Sequence, residues 1–185
     1  MVAISVFLVV IMYGMTALLN ANLVHNKSQN MRSILDNLSF IMEDMSRNIR
    51  TGYNYYCITG NDSLSNFTVP KSGQNCWGIA FESANGDIQN PNDQWVYAID
   101  SLFHVRKATQ APYDLNNFTS FLQLTPDEVK IDTTKSGFSV LGAPAPDADY
   151  QQPFVIIRLS GTITYKNITT TFSLQTSVSQ RVIDI

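Results

Sequence analysis

The chain has 185 residues, enough for one domain or one domain with an added segment, since domains run at about 100–200 residues. Charged residues make up 15% of the chain, against about 25% in an ordinary soluble protein, and the formal net charge is −3. This balance excludes a basic nucleic-acid-binding protein, because few cations are present to neutralise phosphates, and an aromatic content of 11% argues against disorder. A polar surface with few charges is typical of a secreted or cell-surface protein.

The first predicted element is an apolar helix at the start of the chain. Met1–Leu19 is apolar almost throughout, and as a helix it spans about 28 Å, close to the hydrocarbon core of a bilayer. A secretory signal peptide is the main alternative, but no Lys or Arg precedes the apolar run and Leu18-Leu19-Asn20 is not a cleavage site. A buried core helix is the other alternative. We predict that residues 1–24 form a membrane or filament-core segment, and its apolar side chains include Val2, Ile4, Val6, Phe7, Leu8, Val9, Val10 and Ile11.

The helical pattern continues without interruption through residues 25–52. No Pro or Gly occurs between Thr16 and Thr51, and Gly52 is the first stop signal. Steps of three and four residues separate the members of an apolar stripe, which indicates a helix with one buried face. The predicted stripe consists of Ile34, Leu38, Ile41, Met45 and Ile49. We therefore expect one continuous helix of about 50 residues, roughly 75 Å long, whose second half packs on a sheet.

After Gly52 the sequence changes to short β-rich runs separated by turn signals. These runs predict an extracytoplasmic β domain over residues 53–185. The predicted strands are Tyr53–Ile58, Cys76–Glu82, Gln94–Ile99, Leu102–Lys107, Phe138–Leu141, Phe154–Tyr165 and Thr170–Val182. The predicted fold class is therefore α+β, with a long N-terminal helix packed on a C-terminal antiparallel β domain.

Cys57 and Cys76 are the only cysteines. A zinc site would need two further ligands, and neither His25 nor His104 has metal-ligand spacing with them. In an extracytoplasmic domain a disulfide is the expected state, and it would stabilise the fold by roughly 3 kcal/mol. Two free, buried thiols are the alternative.

No motif in the sequence predicts catalysis or a cofactor. His104 is interpreted as a surface or half-buried side chain on a strand, and no G-x-S-x-G, Walker A or H-E-x-x-H motif occurs. The loops over 85–93 and Asp147–Asp149 carry oxygen ligands that calcium accepts, but they lack EF-hand spacing and are interpreted as solvated turns. We therefore expect a protein that is not an enzyme.

The opening Val2–Leu8, in a long helix that becomes amphipathic and leads into a β domain, resembles the type IV pilin-like family. The segment over 34–50 is similar to the helix of J-type pseudopilins and W-type minor pilins, and Gln175–Arg181 is similar to a closing segment common there. The N-terminal match is fairly specific in combination with the architecture, whereas the matches in the β domain are loose.

This resemblance implies a structural role without catalysis, as a minor pilin or pseudopilin of a type IV pilus or type II secretion pseudopilus. The implied partners are a prepilin peptidase, an assembly platform, other pilin-like subunits and, before assembly, the lipid bilayer. The implied location is the cytoplasmic membrane, with the C-terminal domain outside it, and then the filament. A membrane-anchored β domain acting as an adhesin or binding module is the alternative.

One part of the family pattern does not occur in these 185 residues. In the family, a leader that ends in Gly is followed by Phe-Thr-Leu-x-Glu, and the Glu helps to set the register of assembly. We expect that the reading frame continues upstream of Met1 and encodes this motif. A trimmed chain, or a protein that is not a pilin, are the alternatives.

Overall fold

The computed structural model describes residues 2–60, 62, 67, 69–143, 152–166 and 168–181. Three predictions fall outside these residues: the helical state of Met1, the turn at Asp147–Asp149 and the strand end at Val182. The chain divides into two compact units, Met1–Asp36 and Asn37–Ile185. This boundary lies inside the helix, whereas the sequence prediction placed boundaries after residues 24 and 52.

Helix α1 runs from Val2 to Thr51, as one continuous element of 50 residues. The amide of Gly52 donates to the carbonyl oxygens of Asn48 and Ile49, at 3.0 and 3.1 Å, and so closes the last turn. A Cβ atom at position 52 would collide with the ring of Phe81, which leaves room only for glycine. The predicted long N-terminal helix is therefore confirmed, including its end.

Ten strands follow in the described part of the chain. They are β1 (Tyr53–Ile58), β2 (Gly73–Cys76), β3 (Gly78–Glu82), β4 (Trp95–Ile99), β5 (Val105–Ala108), β6 (Leu122–Gln123), β7 (Val129–Ile131), β8 (Gly137–Leu141), β9 (Phe154–Tyr165) and β10 (Ile168–Ser179). All pairs between these strands are antiparallel, so the α+β class predicted from the sequence is confirmed.

The first sheet has the strand order β1-β3-β4-β5-β6. Side chains alternate between its two faces, so Ala80, Val96 and Ala98 belong to one buried cluster with the aromatic residues Phe67, Tyr113, Phe118 and Phe121. On the opposite face, Phe81 and Tyr97 stack with ring centroids 6.0 Å apart. Both faces of this sheet are therefore covered.

The second sheet has the order β10-β9-β8-β2, and β7 also pairs with β9. The hairpin of β9 and β10 pairs all twelve residues of each strand. On its other side, β9 pairs with β8 over Phe154–Arg158 and with β7 over Gly161–Ile163. Strand β10 has one neighbour, which makes it an edge of the sheet.

Candidate functional site

The first candidate site is the apolar segment, which we define as residues 2–24 of α1. The eight side chains predicted to face lipid or a filament core are 46–79% exposed; they are Val2, Ile4, Val6, Phe7, Leu8, Val9, Val10 and Ile11. Soluble monomers rarely expose an apolar surface of this extent, so an apolar environment has to cover it. The helix is long and apolar enough to cross a membrane, although a signal sequence near an N-terminus passes the same test.

Two hydroxyl side chains of the apolar segment bond to the helix backbone. The hydroxyl of Ser5 donates to the carbonyl oxygen of Val2, and that of Thr16 donates to the carbonyl oxygen of Met12 at 2.8 Å. Local bonds of this kind reduce the cost of placing a hydroxyl in an apolar medium. The segment can therefore enter lipid or a helix bundle without leaving these hydroxyl groups unsatisfied.

The second half of the helix belongs to the core of the larger unit. Leu38, Met42, Met45 and Ile49 are buried at steps of four, three and four residues, which is one helical stripe. The structure thus places three residues of the predicted stripe in the core and adds Met42 to them. Ile41 is half-buried and lines a surface groove together with Phe40, and Ile34 is half-buried within the smaller unit.

A polar cluster ties this part of the helix to the first sheet. The Asn48 amide donates to the Tyr97 hydroxyl at 2.9 Å, and that hydroxyl donates to a carboxylate oxygen of Asp44 at 3.2 Å. The Lys107 ammonium lies 3.3 Å from the same oxygen. Burial alone would raise the pKa of Asp44, but the charge and hydrogen bond of Lys107, together with the hydrogen bonds of Asn48 and Tyr97, outweigh burial and lower the pKa. Asp44 is therefore an ionised partner that fixes the helix against strands β4 and β5.

The end of the helix is capped by a side chain from the sheet. The Tyr55 hydroxyl lies 2.7 Å from the carbonyl oxygens of both Ile49 and Gly52 and donates to this pair. The backbone amide of Arg181, which follows β10, donates to the carbonyl oxygen of Arg50 at 2.8 Å. Carbonyl oxygens at the end of the helix thus accept hydrogen bonds from groups of the β domain, as the last carbonyls of a helix require. These hydrogen bonds consequently hold the end of the helix at one place on the β domain.

Cys57 and Cys76 form the predicted disulfide, with Cα atoms 5.5 Å apart. The bond joins β1 to the end of β2, and both cysteines are fully buried. Gly73 passes directly over the Cys57 sulfur, where a Cβ atom would collide with it. The bond therefore links a strand of the first sheet to a strand of the second.

His104 is more buried than the sequence suggested, at 5% exposure, and it lies in the turn before β5 rather than on a strand. The neighbouring Asp100 carboxylate accepts hydrogen bonds from the amides of Leu102 and His104 and pairs with Arg106. Burial would raise the pKa of Asp100, but these bonds outweigh it and lower the pKa. Burial, reinforced by the charge of Lys130, lowers the pKa of His104, so the ring is held neutral. The hydrogen bonds and ion pair of Asp100 therefore stabilise the turn before β5, and the buried His104 is part of that turn.

Within the described ranges, no three or more His, Cys, Asp and Glu side chains are grouped so that they could hold a metal ion. No family model, curated protein or solved structure matches the chain. The functional argument therefore rests on the apolar segment and on its connection to the β domain. Neither Met42 nor the polar cluster of Asp44, Asn48, Tyr97 and Lys107 was predicted, and only the spacing of Leu38, Met42, Met45 and Ile49 gave a signal in the sequence.

Proposed function

We propose that the chain is a structural subunit of an extracytoplasmic filament, a minor pilin or pseudopilin of a type IV pilus or type II secretion pseudopilus. The single observation that carries this proposal is that the two ends of one helix lie in different environments. Its first part exposes apolar side chains, and its last part, from Asn37 to Thr51, belongs to the core of the β-rich unit. A subunit with these two properties can be inserted into a filament through its apolar segment, while its β domain stays folded outside the filament core.

The physical basis of assembly is an exchange of apolar environments. In a bilayer, lipid tails cover the apolar segment, and in a filament core other apolar helices would cover it. Because every backbone group inside the helix already bonds within it, transfer between the two environments leaves no such group unsatisfied. The exchange then depends mainly on helix packing, so it requires no catalytic residue in this chain.

The contacts between the last part of α1 and the first sheet support a filament subunit over a simple membrane anchor. A simple membrane anchor needs no fixed orientation between its helix and its domain, and a flexible linker would serve. Here the buried stripe, the Asp44–Lys107 pair and the Tyr55 cap hold residues 37–51 in one arrangement with the first sheet. Such an arrangement makes the end of α1 part of the β-rich unit, which supports a subunit that is carried by its helix.

The second candidate function is a membrane-anchored adhesin or binding module. A surface groove of about 800 Å³ on the second sheet favours it. The hydroxyl-bearing residues Thr134, Ser160 and Thr171 line this groove together with Phe103 and Lys130, a combination suited to a polar ligand. This alternative uses the apolar segment only as an anchor.

Fractionation of the source cells tests the proposal against this alternative. We expect mass spectrometry to detect the chain in purified filaments, and only in membranes when the assembly platform is deleted. The matched control is an unrelated single-pass membrane protein, which should remain in membranes in both strains. Recovery of the chain in membranes alone, with identical behaviour in the two strains, would favour the anchored binding module.

A further inference from the structure

Strand β10, over Ile168–Ser179, forms a long exposed edge of the second sheet. Within the described residues, β9 is its one paired neighbour, and no other backbone group bonds to the backbone of this strand. Every second side chain, from Thr169 to Ser179, is exposed. The strand contains no charged residue, no proline and no glycine. Its outer edge is therefore a row of backbone donors and acceptors, and nothing in the strand itself prevents pairing with another strand.

The other strands at the ends of the two sheet orders are protected in ways that β10 is not. The segment at Lys71 covers β1, because the amide of Cys57 donates to the Lys71 carbonyl oxygen at 2.9 Å and the Lys71 amide donates to that of Tyr55 at 3.0 Å. Strand β6 has only two residues, and β2 has four with an irregular register against β8. Shortness, covering and irregularity are common means by which proteins keep sheet edges from associating. Of the edges that the structure describes, β10 is thus the one suited to strand pairing.

The sequence of β10 is complementary to a second copy of itself. When a sheet continues from one chain into another, opposed residues of antiparallel strands lie on the same face. With a two-fold axis at Ser173, apolar residues or threonines oppose each other on the core side, and hydroxyl side chains oppose hydroxyl or amide side chains on the outer side. The core-side pairs are Ile168–Val178, Thr170–Thr176 and Phe172–Leu174, and the outer pairs are Thr169–Ser177 and Thr171–Gln175.

Registers displaced from this one lose the match. A two-fold axis at Leu174 would oppose Phe172 with Thr176 and Thr170 with Val178, so apolar residues would face hydroxyl groups. Phe172 and Val178 are buried in the single chain, whereas Ile168 is 38% exposed at the free end of the strand. Because the strand has no charges, two copies do not repel each other. The pattern therefore favours a second copy as the partner, in the register centred on Ser173.

We propose that two copies of the chain associate by antiparallel pairing of their β10 strands, centred on Ser173. The interface is isologous, since the same strand contributes from both copies, and the second sheet continues through the dimer. About ten backbone hydrogen bonds join the two strands. Ile168 of each copy then lies opposite Val178 of the other. This association uses the β domain and not the apolar segment, so it goes beyond assembly through α1 and does not depend on it.

The mass of the full chain in detergent micelles tests the proposal. Size-exclusion chromatography with multi-angle light scattering should detect a dimer whose fraction rises with protein concentration. Ser173→Lys places two ammonium groups opposite each other at the two-fold axis and should weaken the dimer by at least about tenfold. Ser173→Thr is the matched control and should leave it unchanged. A chain that is monomeric at every concentration, or a dimer that persists in Ser173→Lys, as one held by the apolar segment would, overturns the proposal.

Disulfide crosslinking tests the register. Both native cysteines are already paired, so one introduced cysteine supplies the only free thiol. With a mild oxidant, Ser173→Cys should form a covalent dimer with itself. A mixture of Thr169→Cys and Ser177→Cys chains should give the mixed dimer in preference to either self-dimer.

Two outcomes of the crosslinking would contradict the proposal. Equal yields in all combinations would show that β10 does not pair in this register. Crosslinking of Ser173→Cys in the source cells exclusively to a different polypeptide would exclude a second copy as the partner. Should Ser173→Lys fail to fold, the mass of the unaltered chain and the crosslinking of Ser173→Cys decide the question.

Discussion

At the scale of single residues, Met45 defines the contact between α1 and the β domain. Its side chain is fully buried, whereas Phe40 on the same helix is 68% exposed. We predict that Met45→Asp lowers the free energy of unfolding by about 4 kcal/mol, because it buries a charge without a partner. Phe40→Asp should cost less than about 1 kcal/mol. Chemical denaturation of the two variants in micelles measures both values, and equal stabilities would contradict the packing described here.

Glu82 gives a prediction about pH, and Asp93 and Asp87 are the acidic groups that face it. Its pKa is about 7 in the folded chain and near 4.5 when unfolded, so the folded state holds the proton more tightly. Its contribution to stability is therefore fully present below pH 4.5 and is lost as pH rises through about 7. The loss is on the order of 3 kcal/mol.

Glu82→Gln supplies the comparison, since it cannot titrate. We expect the difference in unfolding free energy between the parent chain and this variant to change with pH between about 4.5 and about 7. A difference that stays constant from acidic to neutral pH would show that the Glu82 carboxyl has an ordinary pKa.

At the scale of elements, the sequence predicted α1, β1 and β9 well, whereas β10 runs over Ile168–Ser179 and not over the predicted Thr170–Val182. β1 and β9 have the predicted bounds, because each is a long run of β-branched or aromatic residues between turn signals. The end of α1 at Gly52 was also predicted, since glycine there is both a helix stop and a point of close contact with Phe81. Local signals of this kind are readable without knowledge of the tertiary structure.

The bounds of several other strands depend on tertiary contacts that cannot be deduced from the sequence. The predicted strand Cys76–Glu82 is interrupted at Trp77, where one half pairs with β8 and the other with β1 and β4. β6 and β7 have two and three residues, too few for a periodic pattern, and they form by pairing with β5 and β9. The predicted strand from Leu102 begins only at Val105, because the preceding residues form a turn around Asp100.

The candidate sites differ in how far they could be predicted. The apolar segment is visible from composition alone. The buried contact between Glu82 and Gln94 is not, because the two residues are twelve positions apart and come together only through the pairing of Phe81 with Trp95. The turn over 85–93 was recognised as rich in calcium ligands, yet burial of Glu82 beside it could not be deduced from spacing.

The disulfide is the element-scale feature with a direct stability prediction. It closes a loop with a sequence separation of 19 residues, for which chain entropy gives about 3 kcal/mol. We predict that the double variant Cys57→Ala, Cys76→Ala unfolds at a lower denaturant concentration by an amount equivalent to about 2–4 kcal/mol. Reduction of the parent chain should lower its stability as well, while the same reductant should not affect the double variant. Identical midpoints for the oxidised and reduced parent would contradict a stabilising role.

At the scale of the whole molecule, the two compact units have different physical requirements. The β-rich unit buries its own core, whereas the apolar segment needs lipid or other helices to cover it. We predict that Val10→Lys reduces membrane retention, since a Lys near the centre of a spanning helix costs about 2.5–3.5 kcal/mol. Extraction with alkaline carbonate measures retention, and Val10→Leu is the matched control. Full retention of the Val10→Lys protein would argue that the segment does not span the bilayer.

The central claim is that the apolar segment packs against helices of its own kind in a filament. A photo-crosslinking amino acid at Val10, irradiated in the source cells, tests it most directly, with the same group at the exposed Thr133 as control. The account predicts that position 10, and not position 133, yields covalent adducts with other chains that begin with an apolar helix, identified by mass spectrometry. Adducts with lipid alone at position 10, in cells that are assembling filaments, would contradict the account and leave the segment as an anchor.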